Sequence, residues 1–266
     1  MPRGVLRHAT GAKSHAGLWL SCFSEILPQK NPDRPEARLA AFRTARSCAG
    51  ATTQGAGGGV YGQAFARWRA MHVELGSVFQ PVKTQGRLIV GLGIETPQET
   101  GLRLQHTYGV PVIPGSAVKG VCAFYAHSVW GLENTEFRMG GSGYQFLFGS
   151  QEEAGMVTFE DAWMDPAAVG GALNIDVMTP HQGDYYQEKM DTHRDRIPPS
   201  DQAAPVPIPF LSVSGKFWLA MRCEGEDREA AGRWQMVVKD LALAALRDEG
   251  IGGKTRAGYG RLIAAT

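Results

Sequence analysis

Residues 227–264 read DREAAGRWQMVVKDLALAALRDEGIGGKTRAGYGRLIA, and three kinds of structure follow one another in this stretch. Trp234, Val237, Val238, Leu241 and Ala245 fall in one stripe at helical spacing, which predicts a helix over 227–249 with one buried side. Gly250 stands where a helix takes its left-handed stop. GIGGKTRAGYGR, residues 250–261, then brings five glycines together with Lys254, Arg256 and Arg261 and no acid. A backbone so free of side chains can come close to a ligand, and a charge of +3 selects an anionic one. Residues 258–264 close the chain as a strand. The segment GGKT is not a nucleotide-binding P-loop. That motif needs glycine where Asp248 stands and a helix after Thr255, and only eleven residues follow it.

Working back from that end, strand patterns recur over 215–222, 172–179 and 155–163, and a fourth is predicted where Leu88, Val90, Leu92 and Ile94 alternate with other residues. Pro114 and Gly115 open a helix whose apolar positions Val118, Val121, Cys122, Tyr125 and Val129 share one side. The order strand, helix, strands, helix, strand fits an α+β fold, a ferredoxin-like sheet with helices on one face and inserted segments. Upstream, residues 33–48 and 63–76 read as helices separated by the glycine-rich 51–62. Residues 1–78 therefore read as a basic, partly flexible N-terminal helical region. Residues 79–266 form the main domain, with a polar insertion at about 180–212.

The chain of 266 residues, 43% hydrophobic and 20% charged, can bury a sizeable core. No apolar run is long enough to span a bilayer and no secretory signal opens the sequence, so a cytoplasmic protein without membrane contact is expected. Cys22, Cys48, Cys122 and Cys223 are scattered with no paired spacing, as reduced structural thiols would be. The net charge of +1 conceals an asymmetry: residues 1–87 carry 12 Lys and Arg against 4 Asp and Glu, and the remainder 15 against 22. A basic part can lie against nucleic acid while an acidic part meets basic neighbours.

Two further segments have chemistry suited to RNA. In IPGSAVKG, residues 113–120, Ser116 is expected as the helix N-cap, leaving free N–H groups at the helix start, and Lys119 lies one turn in. A helix start with a lysine nearby is suited to a phosphate. In DVMTPHQGDYYQEKM, residues 176–190, His181, Tyr185 and Tyr186 interleave with basic residues as in surfaces that stack single-stranded bases. Tyr259 in the glycine-rich loop is a further stacking candidate. His181, Asp184, Asp191, His193 and Asp195 could instead supply metal ligands or an acid/base pair, but they match no defined metal motif. No cofactor is expected.

GLRLQHTYGVPVIPGSAVKG (residues 101–120), DVMTPHQGDYY (176–186), PVPIPFLSV (205–213) and GIGGKTRAGYGR (250–261) occur in this order. In these segments the chain resembles the RAMP superfamily, most closely the sixth-subunit family of the Cmr complexes of type III-B CRISPR systems, over roughly residues 79–266. The resemblance implies a ferredoxin-like core at the end of a filament of backbone subunits, near the 3′ end of the guide RNA, and no catalysis by this chain. It implies as partners the guide RNA, the target RNA, the repeated backbone RAMP subunit, the other terminal RAMP subunit and the small helical subunit. The candidate RNA-binding residues are Ser116, Lys119, His181, Tyr185, Tyr186, Lys254, Arg256, Tyr259 and Arg261. Because some RAMP relatives cut RNA with histidine and tyrosine side chains, an endoribonuclease using His181 with Tyr185 or Tyr186 is the alternative.

Overall fold

The computed structural model describes residues 15–24, 33–94, 96, 100–179, 207–225 and 227–265. Its centre is an antiparallel sheet of β1 (Val78–Thr84), β2 (Val112–Ile113), β3 (Val157–Phe159), β4 (Ala162–Met164), β7 (Lys216–Cys223) and β8 (Leu262–Ala264). The strands lie in the order β2-β4-β7-β1-β8, and β3 extends the pairing along β7 beside β4. A separate hairpin pairs β5 (Leu173–Met178) with β6 (Ile208–Val213). The strand predicted over 155–163 is thus two short strands, interrupted at Glu160 and Asp161, with the Glu160 N–H still donating to the Ala220 carbonyl of β7 at 3.1 Å.

Among the described residues five helices of at least seven residues accompany the strands: α1 (Arg34–Ala49), α2 (Gly59–Glu74), α3 (Gly115–Tyr125), α4 (Ser142–Phe148) and α5 (Arg228–Asp248). Helices α3 and α5 pack on one sheet face, where Val118 and Cys122 join Leu241, Ala245, Phe217 and Leu219 in a fully buried cluster. Burial there pushes the Cys122 thiol up to about 12. The expected stripe of α3 ends early. A π-helical turn, Ala126–Trp130, adds a residue to the turn and leaves Val129 37% exposed.

The helices are not confined to that face. α2 covers the other one, with Phe65 and Trp68 packed on Ala220 beside Phe79, Trp163 and Trp218. Trp68 and Tyr61 both stack on Trp163, and the Tyr61 hydroxyl donates to the Met164 carbonyl at 2.7 Å. Phe42, Ala45 and Cys48 of α1 and Tyr61 of α2 lie in the same buried cluster as the sheet, so both helices are built into the core. Of the glycine-rich segment, residues 51–53 form a 3-10 turn, Gly55, Gly57, Gly58 and Gly59 take positive φ, and α2 begins at Gly59, ahead of the predicted 63.

The strand predicted from Leu88 to Ile94 is not one. Only Leu88 makes a bridge, to Val213, and Leu88, Ile89 and Val90 are all buried instead of alternating. The reason is their position between two neighbours. Leu88 exchanges backbone hydrogen bonds with Val213 of β6, while the Ile89 carbonyl accepts the Gly253 N–H at 2.7 Å. The first strand lies earlier, in VFQPVKT, where polar residues and Pro81 hide the pattern. Among the described residues no helix is long and apolar enough to cross a membrane.

Candidate nucleic-acid interface

The glycine-rich loop is held by its backbone. Gly250 ends α5 with φ +76°, as expected for a left-handed stop. The Ile251 N–H donates to the Gly260 carbonyl at 2.8 Å, closing the loop on itself, and the Gly260 N–H donates to the Arg87 carbonyl at 2.7 Å. A Cβ on Gly252 would come within 2.1 Å of the Ile89 carbonyl oxygen, so this approach requires glycine. At the tip, Lys254 has φ 59° and ψ 35°; among the described residues it is the one non-glycine in the left-handed region. Its carbonyl accepts the Ala257 N–H at 2.9 Å, which holds the backbone in that conformation. Strain of this kind, about 1–2 kcal/mol, persists where the surroundings fix it and the side-chain direction matters.

The basic residues of the loop divide into two roles. Lys254 and Arg256 are exposed, and among the described residues neither is in a salt bridge. Arg261 instead turns back on α5 and donates to the carbonyls of Arg247 at 2.6 Å and Asp248 at 2.5 Å, closing the helix end. Tyr259 is half-buried against Phe210 and donates to Asp176 Oδ2 at 3.2 Å. Burial first, and the Asp176 carboxylate second, raise its phenol above the ordinary value. It is a tie within the fold more than an open stacking platform.

In the sequence Asp176 only opens the DVMTPHQGDYY segment, yet in the fold it is the centre of this region. Its Oδ1 accepts Arg87 Nη1 at 2.5 Å, and its Oδ2 accepts the Ser212 hydroxyl at 2.7 Å besides Tyr259. One carboxylate on β5 thereby joins β6, the segment after β1 and the glycine-rich loop. No pattern in the sequence marks Arg87 or Ser212 as its partners, because they lie 89 and 36 residues away. His181, Tyr185 and Tyr186 lie outside the described residues, as do Asp184, Asp191, His193 and Asp195.

The IPGSAVKG turn differs from expectation. Ser116 is not the N-cap: Pro114 holds that place and makes no side-chain cap. The Gly115 N–H is taken by Asp161 Oδ1 at 2.8 Å, so a carboxylate of the chain already occupies the helix start. Ser116 is exposed and Lys119 half-buried. The turn follows β2 at one sheet edge and the glycine-rich loop precedes β8 at the other. Four strand spacings separate them, about 19 Å. The structure therefore does not bring these two motifs together.

A cleft of about 590 Å³ lies elsewhere, lined by Leu18, Leu20, Phe42, Leu102, Leu104 and the side chains of His15 and Thr100. His15 Nδ1 accepts the Leu18 N–H, so its Nε2 donates to the His106 carbonyl at 3.1 Å and the ring is committed to the fold. Among the described residues no three His, Cys, Asp or Glu side chains are grouped to hold a metal ion.

Fold and loop together define a mixed helix and antiparallel-sheet protein whose basic glycine-rich loop leads into its terminal edge strand. The RAMP superfamily matches residues 81–263, and the chain belongs to that superfamily. It is 34% identical over 231 residues to the CRISPR system Cmr subunit Cmr6 of Pyrococcus furiosus; the match covers 68% of this chain and 66% of that protein, just under two thirds of its length. A chain in the cryo-EM structure of the Type III-B Cmr-beta bound to cognate target RNA is similar in fold, with a TM-score of 0.59 at 20% identity over 97% of this chain and 88% of that one. The crystal structure of Cmr6 from Pyrococcus furiosus aligns with 71% of this chain and 98% of that one, at 33% identity and a TM-score of 0.43.

Proposed function

We propose that this chain is a guide-RNA-binding subunit of a type III-B CRISPR Cmr ribonucleoprotein, seated near the 3′ end of the guide, that performs no chemistry of its own. The observation that carries this reading is the loop tip, where Lys254 is fixed in a left-handed conformation next to Arg256 and both cations are open to solvent. A phosphate backbone supplies the charge these groups lack. Similarity to Cmr6 supports membership of such an assembly, and the partners proposed with it are the repeated backbone RAMP subunit, the other terminal RAMP subunit, the small helical subunit and the target RNA.

The core of this reading is a ferredoxin-like unit. β1, α3, β3 with β4, β7, α5 and β8 follow one another along the chain, and β8-β1-β7-β4 is the order in the sheet, which supports a split pair of strand-helix-strand units. Ser116 and Lys119 enter only as a secondary contact, since Asp161 already holds the helix start there. His181, Tyr185 and Tyr186 would reach the RNA from the segment that follows β5.

Co-purification from the host with sequencing of bound RNA and identification of bound proteins tests the assignment. Guide RNA and Cmr subunits are the expected catch, and their absence overturns it. Defined cleavage products from labelled repeat RNA and the purified chain, with or without divalent metal, would establish the endoribonuclease instead.

A further inference from the structure

The cleft bordered by residues 94–105 combines an apolar lining with polar atoms that the fold leaves unmatched. Phe42, Leu102 and Leu104 are among its walls, and its volume of about 590 Å³ falls in the range of small-ligand pockets, about 300–1,000 Å³. Thr96 Oγ1, Thr100 Oγ1 and Gln105 Oε1 belong to residues of this lining, and among the described residues these three oxygens are shielded from solvent without a hydrogen-bond partner. Arg222 Nε is the one other side-chain atom in that condition among the described residues, so three of the four gather at one cleft. Each such atom costs stability until a partner reaches it.

The chemistry of these groups selects a ligand. An amide oxygen must receive an N–H, whereas a threonine hydroxyl can donate or accept. A flat apolar ring whose edge carries both donors and acceptors meets all three, and that is a nucleobase. Arg103 also lines the cleft; it is exposed, and among the described residues it is in no salt bridge, as a phosphate contact requires. Asp161, on the lining as well, keeps Oδ1 on the Gly115 N–H, and its charge sends a phosphate to the Arg103 side. A single segment separates this cleft from the glycine-rich loop. The Val90 carbonyl accepts the Arg103 N–H at 2.7 Å, and the Ile89 carbonyl before it accepts the Gly253 N–H at 2.7 Å. Two strand spacings, about 10 Å, are the span of about three nucleotides.

We propose that this cleft takes the base of one unstacked nucleotide from the RNA strand held at the glycine-rich loop. Its ring lies against the apolar walls, its edge bonds to Thr96, Thr100 and Gln105, and its phosphate meets Arg103. The inference rests on the RNA-binding reading of the loop and adds a pocket that reads a base to a loop that holds the backbone. Unstacked bases in single strands are bound in this way, by apolar contact on the ring and hydrogen bonds on the edge.

The test uses the full chain and a short fluorescent RNA of mixed sequence, with anisotropy measured over a range of salt, beside the same strand built from abasic nucleotides. The wild-type chain should prefer the intact strand by about 30-fold. Leu102→Trp, which fills the cleft, should remove that preference by weakening the intact strand alone. Thr96→Val with Thr100→Val should cost about tenfold, about threefold for each hydrogen bond, with the salt slope unchanged and Tm no lower, since two unmatched oxygens are removed. Arg103→Gln should instead reduce the slope by about 0.7, the value of one single-strand phosphate contact. If Leu102→Trp does not fold, the valine pair, which conserves shape, decides. Wild-type affinity in the folded valine pair, the result expected where only water fills the cleft, overturns the proposal. So does competition by free adenosine 5′-monophosphate at the concentration of the strand, which would make the cleft a mononucleotide site. If Lys254→Ala with Arg256→Ala weakens binding in the same series, the loop reading survives either result. Absence of any RNA binding by the wild-type chain overturns both.

Discussion

The Tyr259 hydroxyl donates to Asp176 Oδ2 at 3.2 Å, tying the glycine-rich loop to β5 across 83 residues of sequence. Two segments that look like separate RNA-binding motifs are therefore parts of one structure, and Asp176 is its centre. Substituting Asp176 by alanine leaves the Arg87 guanidinium, the Ser212 hydroxyl and Tyr259 without their acceptor. The expected loss is about 1–3 kcal/mol, or several degrees in Tm, with a smaller loss for Tyr259→Phe. The same change should lower the Tyr259 phenol pKa without restoring it to its ordinary value, because burial is the larger cause of its rise. Phenolate absorbance during alkaline titration reads this directly.

The basic residues of the loop should separate by readout. Lys254→Ala with Arg256→Ala is expected to weaken guide binding and reduce the salt slope by about 1 to 1.5, with Tm unchanged. Arg261→Ala should instead lower stability by about 1.5–3 kcal/mol, since it removes a charged donor from the last carbonyls of α5. Equal effects of the two variants on Tm would show that the division of roles is mistaken.

Glycine positions within the loop should differ in the same experiment. Gly252→Ala places a Cβ 2.1 Å from the Ile89 carbonyl oxygen at φ +87°, so the loop must move from the 87–89 segment and both stability and RNA affinity should fall. Gly258→Ala has the same φ but open space around it, and should cost only the left-handed strain, about 1–2 kcal/mol. Thermal melts of the two proteins make the comparison.

Asp248 provides a pH signature. Hydrogen bonds from Arg247 chiefly, and from Tyr125, hold its carboxyl down to about 2. A folded-state pKa below the unfolded one means that its contribution is complete above about pH 4 and is lost as pH falls through about 2. Asp248→Asn should therefore lower Tm at neutral pH and show a shallower loss of Tm between pH 4 and 2 than wild type. Parallel curves for the two proteins would contradict this linkage.

The start of α3 should behave as a structural cap. Asp161→Ala removes the acceptor of the Gly115 N–H and should cost about 1 kcal/mol, whereas Ser116→Ala should leave Tm unchanged. Lys119→Glu should change guide affinity less than Lys254→Glu does. A larger effect of Lys119→Glu would promote this turn to a primary RNA contact.

Much of the architecture is legible in local pattern. The stripe from Val238 to Ala245 and the stop at Gly250 produce α5 as read, and the strands over 172–179 and 215–222 appear within two residues, because helix and strand periodicity are properties of consecutive residues. The same reading fails at Leu88 to Ile94, where contact on both sides from distant segments buries three consecutive residues and overrides the apparent alternation. It fails at Val129, where a π-turn breaks the helical period.

For the interface, the sequence by itself determined the composition of the loop: five glycines and three cations without an acid. Only the tertiary structure decided that Arg261 closes α5, that Tyr259 is tied to Asp176, and that Lys254 and Arg256 remain open. It also decided that Asp161 fills the helix start expected to hold a phosphate. A side chain's charge belongs to the residue, but its partners are chosen by which strands and helices the fold brings within about 3 Å of it.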